Sequence, residues 1–102
     1  QERSEIVAQL EEHLRQMRAN LRESEREVQE LLERTGTKES EWRALPDERR
    51  TAGSTQAHWQ ALGMIRQQVS EKQRFSSELT RKTRELEDQV AQQQRLVADL
   101  RG

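Results

Sequence analysis

The sequence predicts an all-α protein: a long dimeric coiled coil of two helical segments with a central break containing proline and glycine. Three observations carry this. Charged residues make up 36% of the 102 residues and apolar ones only 30%, whereas a compact domain needs about 45–50% apolar residues. The apolar residues that are present recur in steps of three and four, the spacing of a supercoiled helix and not of a disordered chain. The one proline, Pro46, stands near mid-chain between two such runs.

The first segment, residues 1–35, reads Val7, Leu10, Leu14, Met17, Leu21, Ser24, Val28, Leu31, with only Ser24 polar. Val7, Leu14, Leu21 and Val28 take heptad position a; Leu10, Met17 and Leu31 take d. Ile6 and Leu32 widen the stripe at its ends. A lone amphipathic helix on a globular core is the plain alternative, but no other segment is apolar enough to be that core.

Residues 36–54 read as an interrupted hinge holding a short helix. Thr35-Gly36-Thr37 looks like a helix stop followed by an N-cap. Trp42 and Leu45 keep the first register. Pro46 disfavours helix at Leu45, because the residue before proline is pushed out of the α region. Thr51-Ala52-Gly53-Ser54-Thr55 is a second break, with Ser54 or Thr55 expected to cap the next helix.

The third segment, residues 55–102, reads Leu62, Ile65, Val69, Lys72, Ser76, Leu79, Thr83, Leu86, Val90, Gln93, Val97, Leu100. Lys72, Ser76, Thr83 and Gln93 are polar layers, which cost stability and can fix register. Phe75 sits beside this weak patch. This seam is one residue out of phase with the first, the mark of a hinge or turn. Two architectures satisfy the pattern. In one, the chain runs on as an extended parallel dimer. In the other, it folds back at residues 46–54 into a helical hairpin, and two hairpins pair as a four-helix bundle. The narrow, nearly strict a/d seams favour the parallel dimer, since a bundle needs broader apolar faces. Either way a second copy is expected, to cover the seam.

The composition excludes several classes. Cysteine is absent, so disulfide frameworks and cysteine metal sites are out. No apolar run approaches the 18 residues or so of a membrane span, and no signal peptide is present. His13 and His58 are far apart and lack a second ligand at helical spacing. No serine stands in a strained turn beside a base, and Glu23, Glu25, Glu27 and Glu30 form a charged helix face without a pocket. There is no glycine-rich phosphate loop. The expectation is no enzyme and no cofactor.

Charge is distributed unevenly. Residues 1–51 hold 10 basic and 13 acidic residues; residues 52–102 hold 8 and 6. Within residues 60–84, Arg66, Lys72, Arg74, Arg81, Lys82 and Arg84 face only Glu71 and Glu78, a net of +4 that a dimer doubles. Such a stripe attracts an acidic polymer: tubulin tails, nucleic acid or an anionic membrane. The bland alternative is a solvated helix surface. With only Phe75 available for stacking, sequence-specific nucleic-acid reading is disfavoured. Smaller basic stretches occur at Arg15, Arg18, Arg22 and Arg26, and at Arg49-Arg50. Trp42 and Trp59 flank the break, either covering it or anchoring a partner. Arg49-Arg50-Thr51 has the look of a site for a basophilic kinase.

The chain begins at Gln1, and its heptads run to the end, so it reads as an excerpt of a longer coiled-coil protein. Its Arg-over-Lys, Gln-rich style, with the seam Leu79, Leu86, Val90 beside Arg81, Lys82 and Arg84, resembles the coiled-coil region of the microtubule-binding kinetochore subunit of kinetoplastids. That resemblance implies a dimerising module that binds microtubules, helped by a basic tail, at the kinetochore in the nucleus. A spacer or scaffold of the cytoplasm or cytoskeleton, such as a vesicle tether or centrosomal rod recruiting proteins through Trp42 and Trp59, is the alternative.

Overall fold

The structure is a computed structural model that describes residues 2–101. It holds two long helices, α1 (Glu2–Ala44) and α2 (Ala52–Arg101), joined by a short turn that includes a 3-10 helix at Asp47–Arg49. Among the described residues there is no strand. The all-α, coiled-coil-like character is therefore plain.

The seam of α1 is continuous. Val7, Leu10, Leu14, Met17, Leu21, Ser24, Val28 and Leu31 are buried or half-buried, and so are Thr35, Lys38, Trp42 and Leu45 beyond them. The steps of three and four never slip. The helix stop expected at Thr35-Gly36-Thr37 is absent. Glycine ends a helix by turning left-handed, and no described glycine has a positive φ. Instead the Thr35 and Thr37 hydroxyls each donate to the carbonyl one turn back, at Leu31 and Glu33, both at 3.1 Å. Glycine in a helix costs only about 1 kcal/mol. Keeping Trp42 and Leu45 on the seam outweighs that cost.

Proline, in contrast, does end α1. Leu45 makes a last tight bond to the Trp42 carbonyl at 3.2 Å, and Pro46 is extended with φ −61° and ψ 151°. The interruption expected over residues 36–54 is thus confined to residues 45–51. The cap of α2 is Thr51, not Ser54 or Thr55: its hydroxyl accepts the Ser54 amide at 3.1 Å. The Ser54 hydroxyl in turn donates back to the Arg49 carbonyl at 2.8 Å. A cap works by satisfying the N3 amide. Since α2 begins at Ala52, Ser54 is already N3.

The chain divides into two compact units. In the turn unit, Ser24–Arg74, the helices pair antiparallel: Glu27 with Lys72, Glu39 with Arg66, Trp42 with His58. Partner numbers on α2 fall as those on α1 rise. Leu62, Ile65 and Val69 are its buried apolar residues, with Leu62 at 1% exposure. In the terminal unit, Gln1–Glu23 with Phe75–Gly102, Leu14 packs with Leu86 and Val90, and Leu10 and Met17 lie against them. The pairs Glu11 with Gln94 and Arg18 with Glu87 run the same antiparallel way. Leu79 and Thr83 are buried there as well.

Within each unit the helices of one chain therefore cover each other, as the folded-back alternative requires and the extended parallel arrangement does not. The narrow seams are those of a two-stranded antiparallel pair. One chain supplies both strands, so the need for a second copy to cover the seam disappears. Of the expected seam residues only Leu100 stays exposed, at 68%.

Candidate charged surface and turn cluster

The antiparallel pairing sorts residues onto two flanks. With Val7 as a on α1 and Leu62 as a on α2, residues at e of one helix face e of the other, and g faces g. Glu11 with Gln94, Arg18 with Glu87 and Glu39 with Arg66 follow this rule, all e to e, whereas Glu27 with Lys72 joins g to d.

The six basic residues expected to form a stripe do not share one face. Arg66 occupies e, Lys72 d, Arg74 and Arg81 f, Lys82 g and Arg84 b. Three of them are engaged within the chain. Lys72 enters the seam half-buried and meets the Glu27 carboxylate, the way a cation at a d position escapes a desolvation penalty. Arg66 lies 3.6 Å from Glu39. Arg81 bridges Glu78 and Glu85 along its own helix. The hydrogen bond from Arg81 holds the Glu78 carboxyl below the ordinary carboxylate range, with a smaller pull from the charge of Lys82, and Glu78 raises the Arg81 guanidinium in turn. Arg74, Lys82 and Arg84 are exposed and make no ion pair among the described residues.

Lys82 borders a groove of the terminal unit with His13, Met17, Leu79, Leu86 and Gln89. On the opposite flank, a groove of about 600 Å³ is lined by Arg15, Arg18 and Arg22, interleaved with Glu11 and Glu87, above Leu14 and Val90. The fold thus gathers three arginines from the minor basic stretch of α1 that sequence reading ranked below the α2 stripe. The available signal was their spacing of three and four, which puts them on one helix face.

At the end of the turn unit, the Trp42 ring stacks on His58 with centroids 4.5 Å apart and planes 7° from parallel. Trp59 meets His58 edge-on at 5.5 Å. Arg50 lies 5.9 Å from the centre of the Trp42 ring, within cation–π range, and its guanidinium donates to the Arg43 carbonyl at 2.6 Å. Trp42 therefore covers the turn. Trp59 stays 56% exposed. His58 belongs to this aromatic stack and fills a seam position.

No group of three His, Cys, Asp or Glu among the described residues could hold a metal ion, and no described helix is long and apolar enough to cross a membrane. No protein-family model, curated protein or solved structure matches the chain.

Proposed function

We propose that the chain is a non-enzymatic, dimerising coiled-coil module of a larger cytoskeletal or kinetochore protein, and that it contributes to microtubule binding through basic side chains of α2. The observation that favours this reading is that Arg74 in the turn unit, and Lys82 and Arg84 in the terminal unit, stand exposed and make no ion pair among the described residues. An exposed guanidinium or ammonium outside any ion pair is available to attract an acidic polymer such as the tubulin tails. Lys72 contributes less, because Glu27 neutralises it at the seam.

Co-sedimentation with microtubules at low and physiological salt tests the reading. Wild-type protein pellets with the polymer at low salt and is released as salt rises, since surface charges are screened over a Debye length of about 8–10 Å. The triple substitution Arg74→Glu, Lys82→Glu, Arg84→Glu abolishes pelleting. Failure of the wild-type chain to pellet even at low salt would sink the proposal.

A spacer or scaffold role is favoured by a different observation, the 56% exposure of Trp59 and 66% exposure of Met64. Exposed aromatic and thioether side chains are apt anchors for a protein partner.

A further inference from the structure

One motif occurs twice in the turn unit. Leu32, Gly36 and Glu39 on α1 have the same offsets as Trp59, Gly63 and Arg66 on α2: a large apolar residue, a glycine four later, then a charge three beyond. The two copies are joined at their ends by the 3.6 Å Glu39–Arg66 pair. Leu32 and Trp59 occupy e, as Glu39 and Arg66 do, and both glycines occupy b. All six residues therefore lie on one flank of the antiparallel pair. A local twofold through the ion pair relates one triplet to the other, with Leu32 and Trp59 each about 10 Å away along their helices, in opposite directions.

Nothing within the chain explains this flank. Leu32 is 45% and Trp59 56% exposed. A side chain on Gly36 or Gly63 would meet nothing within 4 Å. Two glycines inside helices each forfeit about 1 kcal/mol of propensity, and neither is needed for packing within the chain or for a left-handed turn. Close approach of another backbone is the remaining physical use of glycine at such positions.

We infer that this flank is where a second copy of the chain docks, twofold related, making a four-helix arrangement across Gly36 and Gly63. The occupant follows from the charge at the centre. An isologous interface must be complementary to itself. A twofold parallel to the helices lays α1 of each copy on α2 of the other, and sets each Arg66 against the other copy's Glu39. The two ion pairs then close into an alternating ring of four charges. The arginine side chain is 58% exposed and the glutamate 35%, so both have room for a second partner. Acidic or basic partners of one sign would meet only repulsion from half of this centre. The face spans roughly 20 Å along helices about 10 Å wide. Over two helices that is about 400 Å² per copy, below the size of stable interfaces, so the association is a weak one, to be sought at high micromolar concentrations and above. The inference rests on the dimerising part of the proposed function and is independent of microtubule binding.

Sedimentation equilibrium on the whole chain is the test, alongside thermal melts at low concentration. Wild-type protein associates to a dimer. Replacing both glycines (Gly36→Gln, Gly63→Gln) raises the melting temperature of the monomer, because glutamine is a better helix former, and weakens dimerisation by about tenfold or more, equivalent to about 1.4 kcal/mol or more. Arg66→Glu likewise weakens the dimer, and adding Glu39→Arg to it restores association. A chain that stays monomeric to millimolar concentration would overturn both this inference and the dimerising reading. A wild-type dimer that none of these variants weakens would overturn this surface alone.

Discussion

At the scale of single residues, the turn shows how little chain is needed to reverse direction between two long helices. Pro46 ends α1, the Asp47–Arg49 3-10 turn carries the chain round, and Thr51 starts α2. The Arg50 guanidinium donates to the Arg43 carbonyl at 2.6 Å, satisfying one of the acceptors that a helix C-terminus leaves orphaned. Thr51 offers the clearest single-residue test. Its hydroxyl is exposed, so its contribution is the cap itself and not buried packing. Thr51→Ala is expected to lower stability by about 1 kcal/mol, whereas Thr51→Asp or Thr51→Ser keeps it near wild type. Urea melts followed by circular dichroism read this difference directly. Equal melts for Ala and Asp at this position would show that the cap is not holding the start of α2. The Glu78 carboxyl, held low by Arg81, works in the same local way. A depressed carboxyl contributes stability above its unfolded value and loses that contribution as acid protonates it in the fold.

At the scale of elements, each helix is held by its seam and not by its exposed ion pairs, which are worth little in water. Leu62 is the best-buried side chain at 1% exposure. Leu62→Ala should cost about 2–5 kcal/mol, a large share of what a pair of helices can hold, and the loss appears as a lower denaturant midpoint with unchanged helical content at low temperature. A cost below about 0.5 kcal/mol would mean that α2 does not pack through this position. The seam was the part of the fold most legible in the sequence. Val7 through Leu31 and Leu62 through Val97 sit where their spacing placed them, because a period of 3.5 is a direct image of a two-helix contact. The helix stop at Gly36 misled because glycine is a strong signal locally and a weak one energetically. Trp42 and Leu45, still in register, were the better evidence. The polar layers also have a simple account: the Thr83 hydroxyl, buried in the seam, donates to the Leu79 carbonyl at 2.7 Å, and Lys72 reaches Glu27. Less legible was the fate of the basic stripe. Net charge in a window counts residues without their heptad positions. Arg66, Lys72 and Arg81 found carboxylates that are distant in sequence or displaced around the helix.

At the scale of the whole chain, strand direction was the hidden variable. A heptad pattern is the same whether the facing helix belongs to the same chain or another, and whether it runs parallel or antiparallel. What distinguishes the cases is the charge opposite each flanking position. In the parallel register Lys82 would face Glu87, a favourable pair, but other flanking pairs, such as His13 with Arg18 and Asn20 with Glu25, are neutral or poor. Folded back, Arg18 meets Glu87 and Arg66 meets Glu39. The unequal charge of the two halves then has an internal meaning: the acidic half supplies Glu27 and Glu39 to the basic half's Lys72 and Arg66. The decisive measurement is a distance within one chain of the terminal unit. Spin labels at residues 18 and 92, in protein diluted with unlabelled chain, should lie on the order of 20 Å apart, the roughly 8–10 Å between packed helices plus two label arms. Along one continuous helix the same residues would be about 110 Å apart, beyond the range of the method. A strong short-distance signal that survives dilution means that each chain pairs with itself. A signal that vanishes on dilution would mean that the helices facing each other belong to different chains, and the hairpin would have to be replaced by an exchange of α2 between copies.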